Sequence, residues 1–120
     1  MARFTQLDYD REMALLALVP ETDEIICVAR YFPNPDRTSV EFACVVADAW
    51  QGRGVGSMLM AALIDCARTA GYASMDGAVL STNKGMLALA ERLGFEVERG
   101  DDPNHTVKVV LALNPKSKPE

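Results

Sequence analysis

The chain has 120 residues, 49% of them hydrophobic, which fits one domain with a single core. Its formal net charge of −5 disfavours a nucleic-acid partner, which a basic surface would hold. Three cysteines, Cys27, Cys44 and Cys66, lie in apolar runs without a C-x-x-C pair, which argues against zinc and disulfides. No leader-like segment and no apolar run of about 20 residues occurs, so we expect a cytoplasmic protein without a membrane partner.

Three apolar runs that end at turn residues predict three consecutive strands, which we expect to pair in antiparallel fashion. They span residues 13–19, 24–32 and 38–47. Along the third run, Val40 and Phe42 alternate with Glu41 and Ala43, as the two faces of a strand require. Glu41 is the only charged residue inside this third strand.

Two amphipathic helices are predicted in the second half of the chain. Apolar residues recur at three- and four-residue intervals from Val55 to Ala67, and Gly71 is placed as a helix C-cap. Residues 74–80 predict a strand, after which Asn83 caps a second helix that Gly94 ends. Residues 95–99 and 106–113 predict a final strand pair around a turn at 100–104.

The order strand, helix, strand, helix predicts that the third and fourth strands are parallel and joined by a right-handed crossover. The flanking hairpins are expected to be antiparallel. The fold class is therefore α/β (α+β), with a mixed, mostly antiparallel sheet, one central parallel strand pair and flanking helices. We expect one domain over residues 1–113 and a disordered polar tail over residues 114–120.

The stretch AWQGRGVGSMLM, residues 49–60, places three glycines and an arginine between the third strand and the first helix. Free N–H groups at a helix N-terminus bind anions, and glycine permits the backbone angles and close approach that this needs. Arg53 can add a charge-assisted hydrogen bond to a phosphate. The stretch fits neither the P-loop pattern G-x-x-x-x-G-K-[ST] nor the dinucleotide-binding pattern G-x-G-x-x-G. A tight connection without any ligand is the alternative.

A third pattern, Q-x-x-G-x-G, is present at Gln51, Gly54 and Gly56, and residues 83–95 read NKGMLALAERLGF. With these two motifs in this order, the sequence from residue 13 to about residue 113 resembles the GNAT superfamily of N-acetyltransferases. The segments FTQLDYDREMALLAL, VEFACVVADAWQGRGVG and MLALAERLGF resemble more closely the C-terminal acetyltransferase domain of bacterial protein lysine acetyltransferases.

The resemblance implies acetyl-CoA as cosubstrate and no metal. It implies that the pyrophosphate lies on the glycine turn, at Gln51, Gly52, Arg53, Gly54, Val55, Gly56 and Ser57. By the same resemblance, a main-chain N–H near Val45 or Val46 bonds the thioester oxygen in a splay between two parallel strands. Asn83 either contacts pantetheine or caps its helix, and both roles are compatible.

By resemblance, Glu41 occupies the position of the catalytic glutamate and accepts the proton of a lysine amine. A solvated or arginine-paired glutamate is the alternative. Cys44 is interpreted as a core thiol rather than a nucleophile. The position at which many family members carry a tyrosine acid is Ala90, so no such acid is assigned. Asp8 and Asp10 either attract the ammonium of the acceptor or belong to a charged surface.

We therefore expect an acetyl-CoA-dependent N-acetyltransferase that transfers its acetyl group directly to an amine, and to a protein lysine in particular. The alternatives are transfer to a small amine and an inactive CoA-binding module. Complete members of the superfamily begin with a strand and helices, whereas twelve residues precede Met13. On this basis N-terminal elements of the fold are expected to be missing, and an uncovered sheet edge would favour a homodimer.

Overall fold

The computed structural model describes residues 3–9, 12–98 and 106–113, and within them it contains one seven-stranded sheet and two α-helices. The strands are β1 (Arg3–Tyr9), β2 (Glu12–Leu18), β3 (Ile25–Pro33), β4 (Ser39–Val46), β5 (Ser74–Leu80), β6 (Glu96–Glu98) and β7 (Thr106–Ala112). The helices are α1 (Val55–Ala70) and α2 (Lys84–Arg92). The order of the strands across the sheet is β1-β2-β3-β4-β5-β7-β6. The mixed sheet and the fold class predicted from the sequence are confirmed.

Strands β1 to β4 form an antiparallel meander. Ala29 of β3 lies opposite Cys44 of β4, and Tyr31 lies opposite Phe42. The side chains of Ala29, Tyr31 and Phe42 are buried on one face of the sheet. Small and aromatic side chains alternate along the two strands on this face, where they pack as cross-strand pairs.

Strand β4 leads through α1 into β5, and these two strands pair in parallel, as predicted. Strand β7 then inserts between β5 and β6 and pairs with both in antiparallel fashion. Strands β5 and β6 therefore run in the same direction, joined by α2. Because both crossovers step toward the same edge of the sheet and such crossovers are right-handed, α1 and α2 lie on the same face.

The core fills the space between this face and the two helices. Leu59 and Leu63 of α1 and Leu89 of α2 are buried in one apolar cluster with the sheet. On the opposite face, Glu41 is half-buried and Ala43 and Val45 are exposed. No helix in the described part of the chain covers that face.

The C-terminal end of α1 is fixed in two ways. Gly71 adopts a φ of 96°, and its N–H bonds back to the carbonyls of Ala67 and Arg68, as the predicted C-cap requires. The Nε atom of Arg68 also donates to the carbonyl of Leu113 at 2.8 Å. The helix is thereby tied to the chain segment that follows β7.

The prediction that the first strand begins at Met13 was wrong, because β1 precedes it. Phe4 pairs with Ala17 and Asp8 pairs with Met13 along the whole length of β2. Polar and apolar residues are mixed in RFTQLDY without a clear alternation, so the strand depends on its pairing with β2 rather than on a local pattern. The other predicted strands and helices are present, with ends that differ by at most three residues.

Several predictions lie outside the described residues. They concern Asp10, the turn at 100–104 and the tail at 114–120. Within the described ranges, neither helix is long and apolar enough to cross a membrane.

Gly77 generates a prediction about stability. A methyl group at this position in β5 would overlap three carbons of the Phe42 ring, which is itself buried against the ring of Phe95. We expect Gly77→Ala to lower the free energy of unfolding by about 1–3 kcal/mol, because a tightly packed aromatic ring must move. Urea unfolding followed by circular dichroism would measure the change in midpoint.

Gly85→Ala is the matched control. Gly85 lies exposed in α2, and the nearest atom to an added methyl group, Oδ1 of Asn83, is 3.9 Å away. Alanine is favoured over glycine in a helix, so this variant should unfold at the midpoint of the wild type or above it. Equal midpoints for Gly77→Ala and the wild type would contradict the packing described here.

Candidate functional site

Strands β4 and β5 pair at only three positions and then separate. The pairs are Ser39 with Ser74, Val40 with Met75, and Glu41 with Asp76. Beyond this row, β4 continues to Val46 against β3 alone, and β5 continues to Leu80 against β7 alone. The two strands therefore open into a cleft whose apex lies at Glu41 and Asp76.

The odd-numbered residues of β4 direct their main-chain groups toward β3. The N–H of Asn34 donates to the carbonyl of Ser39 at 3.0 Å, and the N–H of Ala47 donates to the carbonyl of Ile26 at 2.8 Å. The register between β3 and β4 is constant from one of these bonds to the other. In an antiparallel ladder every second residue is hydrogen-bonded to the partner strand, so Val45 also faces β3.

The even-numbered residues direct their main-chain groups the other way. The carbonyl of Thr38 accepts from the N–H of Ala73 at 2.7 Å, on the β5 side. The same alternation turns the N–H groups of Cys44 and Val46 into the cleft. Of the two positions named from the sequence for a thioester contact, Val46 faces the cleft and Val45 does not.

The glycine turn connects the wide end of the cleft to α1. Gly52 and Gly54 have φ values of 79° and 84°, in the left-handed region that favours glycine. Gly54 is the N-cap of α1 and provides no side-chain acceptor, and the first intrahelical bond runs from the N–H of Met58 to its carbonyl. The N–H groups of residues 55–57 therefore point outward at the positive end of the helix dipole.

Gly56 has a different role from the other two glycines. It lies buried in the first turn of α1, where an added methyl group would come within 3.1 Å of Cγ2 of Val46 and 3.6 Å of Cδ2 of Leu89. This glycine allows the start of α1 to approach both β4 and α2 closely. The close approach predicted for it is present, but an unusual backbone angle is not.

Two side chains complete the turn. The guanidinium of Arg53 lies 5.1 Å from the centre of the Trp50 ring, a cation–π distance, and the arginine is exposed. The Nε2 atom of Gln51 donates to the carbonyl of Val46 at 3.2 Å, which ties the turn to the end of β4. Arg53 has no ion pair with any residue in the described ranges, so its charge is available to an anion.

Glu41 lies half-buried on the face of the sheet that carries no helix. Its neighbours in the same row are Phe32 of β3 and Asp76 of β5. Among the described residues nothing forms a hydrogen bond or ion pair with its carboxylate. The arginine-paired alternative considered for this residue is therefore absent from the described part of the chain, and the carboxylate is free to accept a proton.

Cys44 lies on the core side of β4. A hydrogen bond with the thiol of Cys27, together with burial, raises the pKa of the Cys44 thiol. The thiol therefore stays protonated at neutral pH, and only the thiolate is an effective nucleophile. This environment agrees with the prediction of a core thiol. No group of three or more His, Cys, Asp or Glu side chains in the described ranges is arranged to hold a metal ion.

The remaining predicted site residues lie apart from Glu41. The Oδ1 atom of Asn83 accepts from the N–H of Met86 at 3.1 Å, so its capping role in α2 is confirmed. Asp8 lies in β1, and two strands separate it from β4. Sequence reasoning did not find Asp76, because its place beside Glu41 depends on the parallel register, which no local pattern indicates.

The chain matches the model of the Acetyltransferase (GNAT) family over residues 2–95. It is 35% identical over 109 residues to "Acetyltransferase PA5475" of Pseudomonas aeruginosa, an alignment that covers 89% of this chain and 58% of that protein. It is 33% identical over 97 residues to "Acetyltransferase Pat" of Mycolicibacterium smegmatis, with 80% of this chain and 29% of that protein covered. The chain thus matches little more than half of one relative and less than a third of the other.

A solved structure shares the fold. It is that of yncA from Salmonella typhimurium, described as a putative acetyltransferase with its cofactor acetyl-CoA. Its TM-score is 0.75 at 25% sequence identity, and the match covers 91% of this chain and 69% of that chain. The family match, the curated relatives and the sheet order agree with one another, and this chain belongs to the GNAT acetyltransferase family.

Proposed function

We propose that this protein transfers the acetyl group of acetyl-CoA directly to an amine, in a ternary complex and without a metal. One observation carries the proposal: the cleft between β4 and β5 connects the free N–H groups at the N-terminus of α1 to an unpaired carboxylate. From Glu41 to Val46 the strand advances five residues, or about 17 Å. An extended cosubstrate with an anionic end and a reactive end fits this arrangement.

The anionic end of the cosubstrate is assigned to the turn. The main chain of residues 51–57 and the guanidinium of Arg53 bind the pyrophosphate through N–H groups at the helix N-terminus and a charge-assisted bond. The N–H groups of Cys44 and Val46 face the cleft and align pantetheine and the thioester oxygen as an added strand would. The Nδ2 group of Asn83 is a further donor for pantetheine, since only Oδ1 is needed for the cap.

The reaction is assigned to Glu41 at the apex. A lysine amine has a pKa of about 10.4 and is protonated at neutral pH, so a proton must leave before nitrogen can attack. Glu41 accepts it, directly or through one water molecule. The nitrogen then bonds to the thioester carbon and loses its second proton to water, the carbon–sulfur bond breaks, and the CoA sulfur takes up a proton from water.

The acceptor we propose is a protein lysine. The resemblance of three segments to bacterial protein lysine acetyltransferases supports this, and so does the net charge of −5, which favours a cationic partner. Asp8 and Asp10 remain predicted contacts of the acceptor. The cytoplasm is the compartment we propose for the reaction, and the free thiols of all three cysteines, typical of a reducing compartment, support this.

Arg53→Ala tests the assignment of the pyrophosphate. We expect acetyl-CoA affinity to fall about tenfold to a hundredfold, because one charge-assisted bond is lost. Isothermal titration calorimetry at two salt concentrations measures the effect, which should be smaller at high salt. Arg92→Ala removes an exposed charge at the end of α2 and should bind as the wild type does. Equal affinities for Arg53→Ala and the wild type would remove Arg53 from the site.

Glu41→Gln tests the base. We expect kcat with a lysine peptide to fall about 10²–10⁴-fold while the Kd for acetyl-CoA is unchanged, since only proton removal is affected. Release of CoA thiol measures the rate. The control is Glu24→Gln, which changes an exposed residue before β3.

A wild type that binds acetyl-CoA but acetylates no amine would instead be a binding module. Faster turnover of a small free amine than of the peptide would select a small-amine acetyltransferase.

A homodimer is also part of the proposal. Strand β1 is the edge of the sheet, and Phe4 and Met58 are at least half exposed beside it. An edge strand next to exposed apolar side chains favours pairing with a second copy. Light scattering should give twice the 13.1 kDa mass of the chain, and Phe4→Asp should reduce it to one chain. A dimer with a Kd of about 10 µM would be mostly assembled at 0.1 mM, which is about ten times that Kd. A monomeric wild type at this concentration would therefore contradict the proposed dimer.

A further inference from the structure

A second carboxylate stands beside Glu41 at the apex of the cleft. Asp76 of β5 is in register with Glu41, in the last pair before β4 and β5 separate. Residues paired in this way point to the same face of a sheet. Both side chains are half-buried, while Val40, Phe42 and Met75 on either side of them are buried on the opposite face. The two carboxylates are therefore neighbours on the face that carries no helix.

The carboxylate of Asp76 is held by a loop from outside its own strand. The Nδ2 atom of Asn34, which follows β3, donates to Oδ2 of Asp76 at 2.9 Å and to Oγ of Ser39 at 2.8 Å. Asp36 fixes this loop in turn, accepting from the N–H groups of Thr38 and Ser39 at 2.8 and 3.0 Å, and these bonds lower its pKa. Asp76 is thus oriented by a neutral donor that leaves its negative charge uncompensated.

An aromatic ring lies on the other side of Glu41. Phe32 of β3 is opposite Glu41, and the guanidinium of Arg30 lies 5.7 Å from the centre of its ring. In the described ranges neither Arg30 nor Lys108 forms an ion pair with Glu41 or Asp76. The row Phe32, Glu41, Asp76 therefore offers an aromatic face and two uncompensated carboxylates, a combination that suits an alkylammonium group.

We propose that Asp76 binds the ammonium group of the acceptor and holds its nitrogen while Glu41 removes the proton; this rests on the proposed function. A single carboxylate that both bound the ammonium and took its proton would lose its charge at that step. With two carboxylates, Glu41 becomes neutral while Asp76 stays charged and keeps its hydrogen bond to the nitrogen. Asp76 is thus a binding residue that selects cationic acceptors, and Asn34 is its positioning residue.

Asp76→Asn is the test, because it removes the charge and keeps an oxygen for Asn34. With an Nα-blocked lysine amide as acceptor, we expect KM for the amine to rise at least tenfold. The kcat and the Kd for acetyl-CoA should remain within twofold of the wild type, and Asp76→Glu should recover part of the loss in KM. A loss of folding alone would change kcat, Kd and the unfolding midpoint together.

Glu96→Gln is the matched charge control. Glu96 is exposed in β6 and lies opposite Val110 of β7, which in turn lies opposite Asp76. The side chain of Glu96 is therefore on the same face as that of Asp76, two strands or about 10 Å away from it. This variant should keep the KM of the wild type. An equal rise in KM for both variants would mean that the net charge of the face, not Asp76, attracts the amine.

The failure of this inference can be told apart from that of the proposed function. A wild type that acetylates the lysine amide, with an Asp76→Asn variant of unchanged KM, would overturn the role of Asp76 alone. A folded wild type that neither binds acetyl-CoA nor acetylates the amide would overturn the proposed function and this inference with it.

Discussion

The parallel pairing of β4 and β5 extends over only three residues, and the rest of the site depends on this limit. Beyond these three pairs, β4 stays hydrogen-bonded to β3 and β5 stays hydrogen-bonded to β7, each in an antiparallel ladder. The two halves of the sheet therefore separate after Glu41 and Asp76. The Phe42 ring packs against Gly77 on the side of the helices, near the narrow end of the gap. Glu41 and Asp76 lie on the other face of the sheet.

Strand β4 supplies three different kinds of group, and simple alternation separates them. Its side chains alternate between faces, so Phe42 packs in the core while Glu41 lies on the open face. Its main-chain groups alternate in the plane of the sheet, so those of Val46 point into the cleft and those of Val45 bond to β3. One extended segment can thus provide packing, hydrogen bonding and a carboxylate without any distortion of the strand.

Much of this fold could be predicted from the sequence, because its signals are local. The strands, helices and crossover connection could be predicted from local signals. These are the alternation in β4, the 3.6-residue apolar stripe of α1, and the glycines Gly54 and Gly71. Strand β1 was missed, since pairing with β2 rather than its own pattern defines it. In the site, the turn and Glu41 could be named from motif and position. Asp76 could not be named, because it lies beside Glu41 only through the parallel register of β4 and β5. The whole of α1 separates these two strands in the sequence, so no local pattern indicates that register.

The distribution of charge along the cleft gives an acidic chain one positive end and one negative end. The helix N-terminus and Arg53 make one end positive, and Glu41 and Asp76 make the other end negative. The ends are about 17 Å apart along β4, whereas the Debye length in physiological salt is about 8 Å. Neither end therefore cancels the other, and this polarity favours the orientation that we propose for the cosubstrate, with its anionic tail at the turn and its acyl group toward the carboxylates.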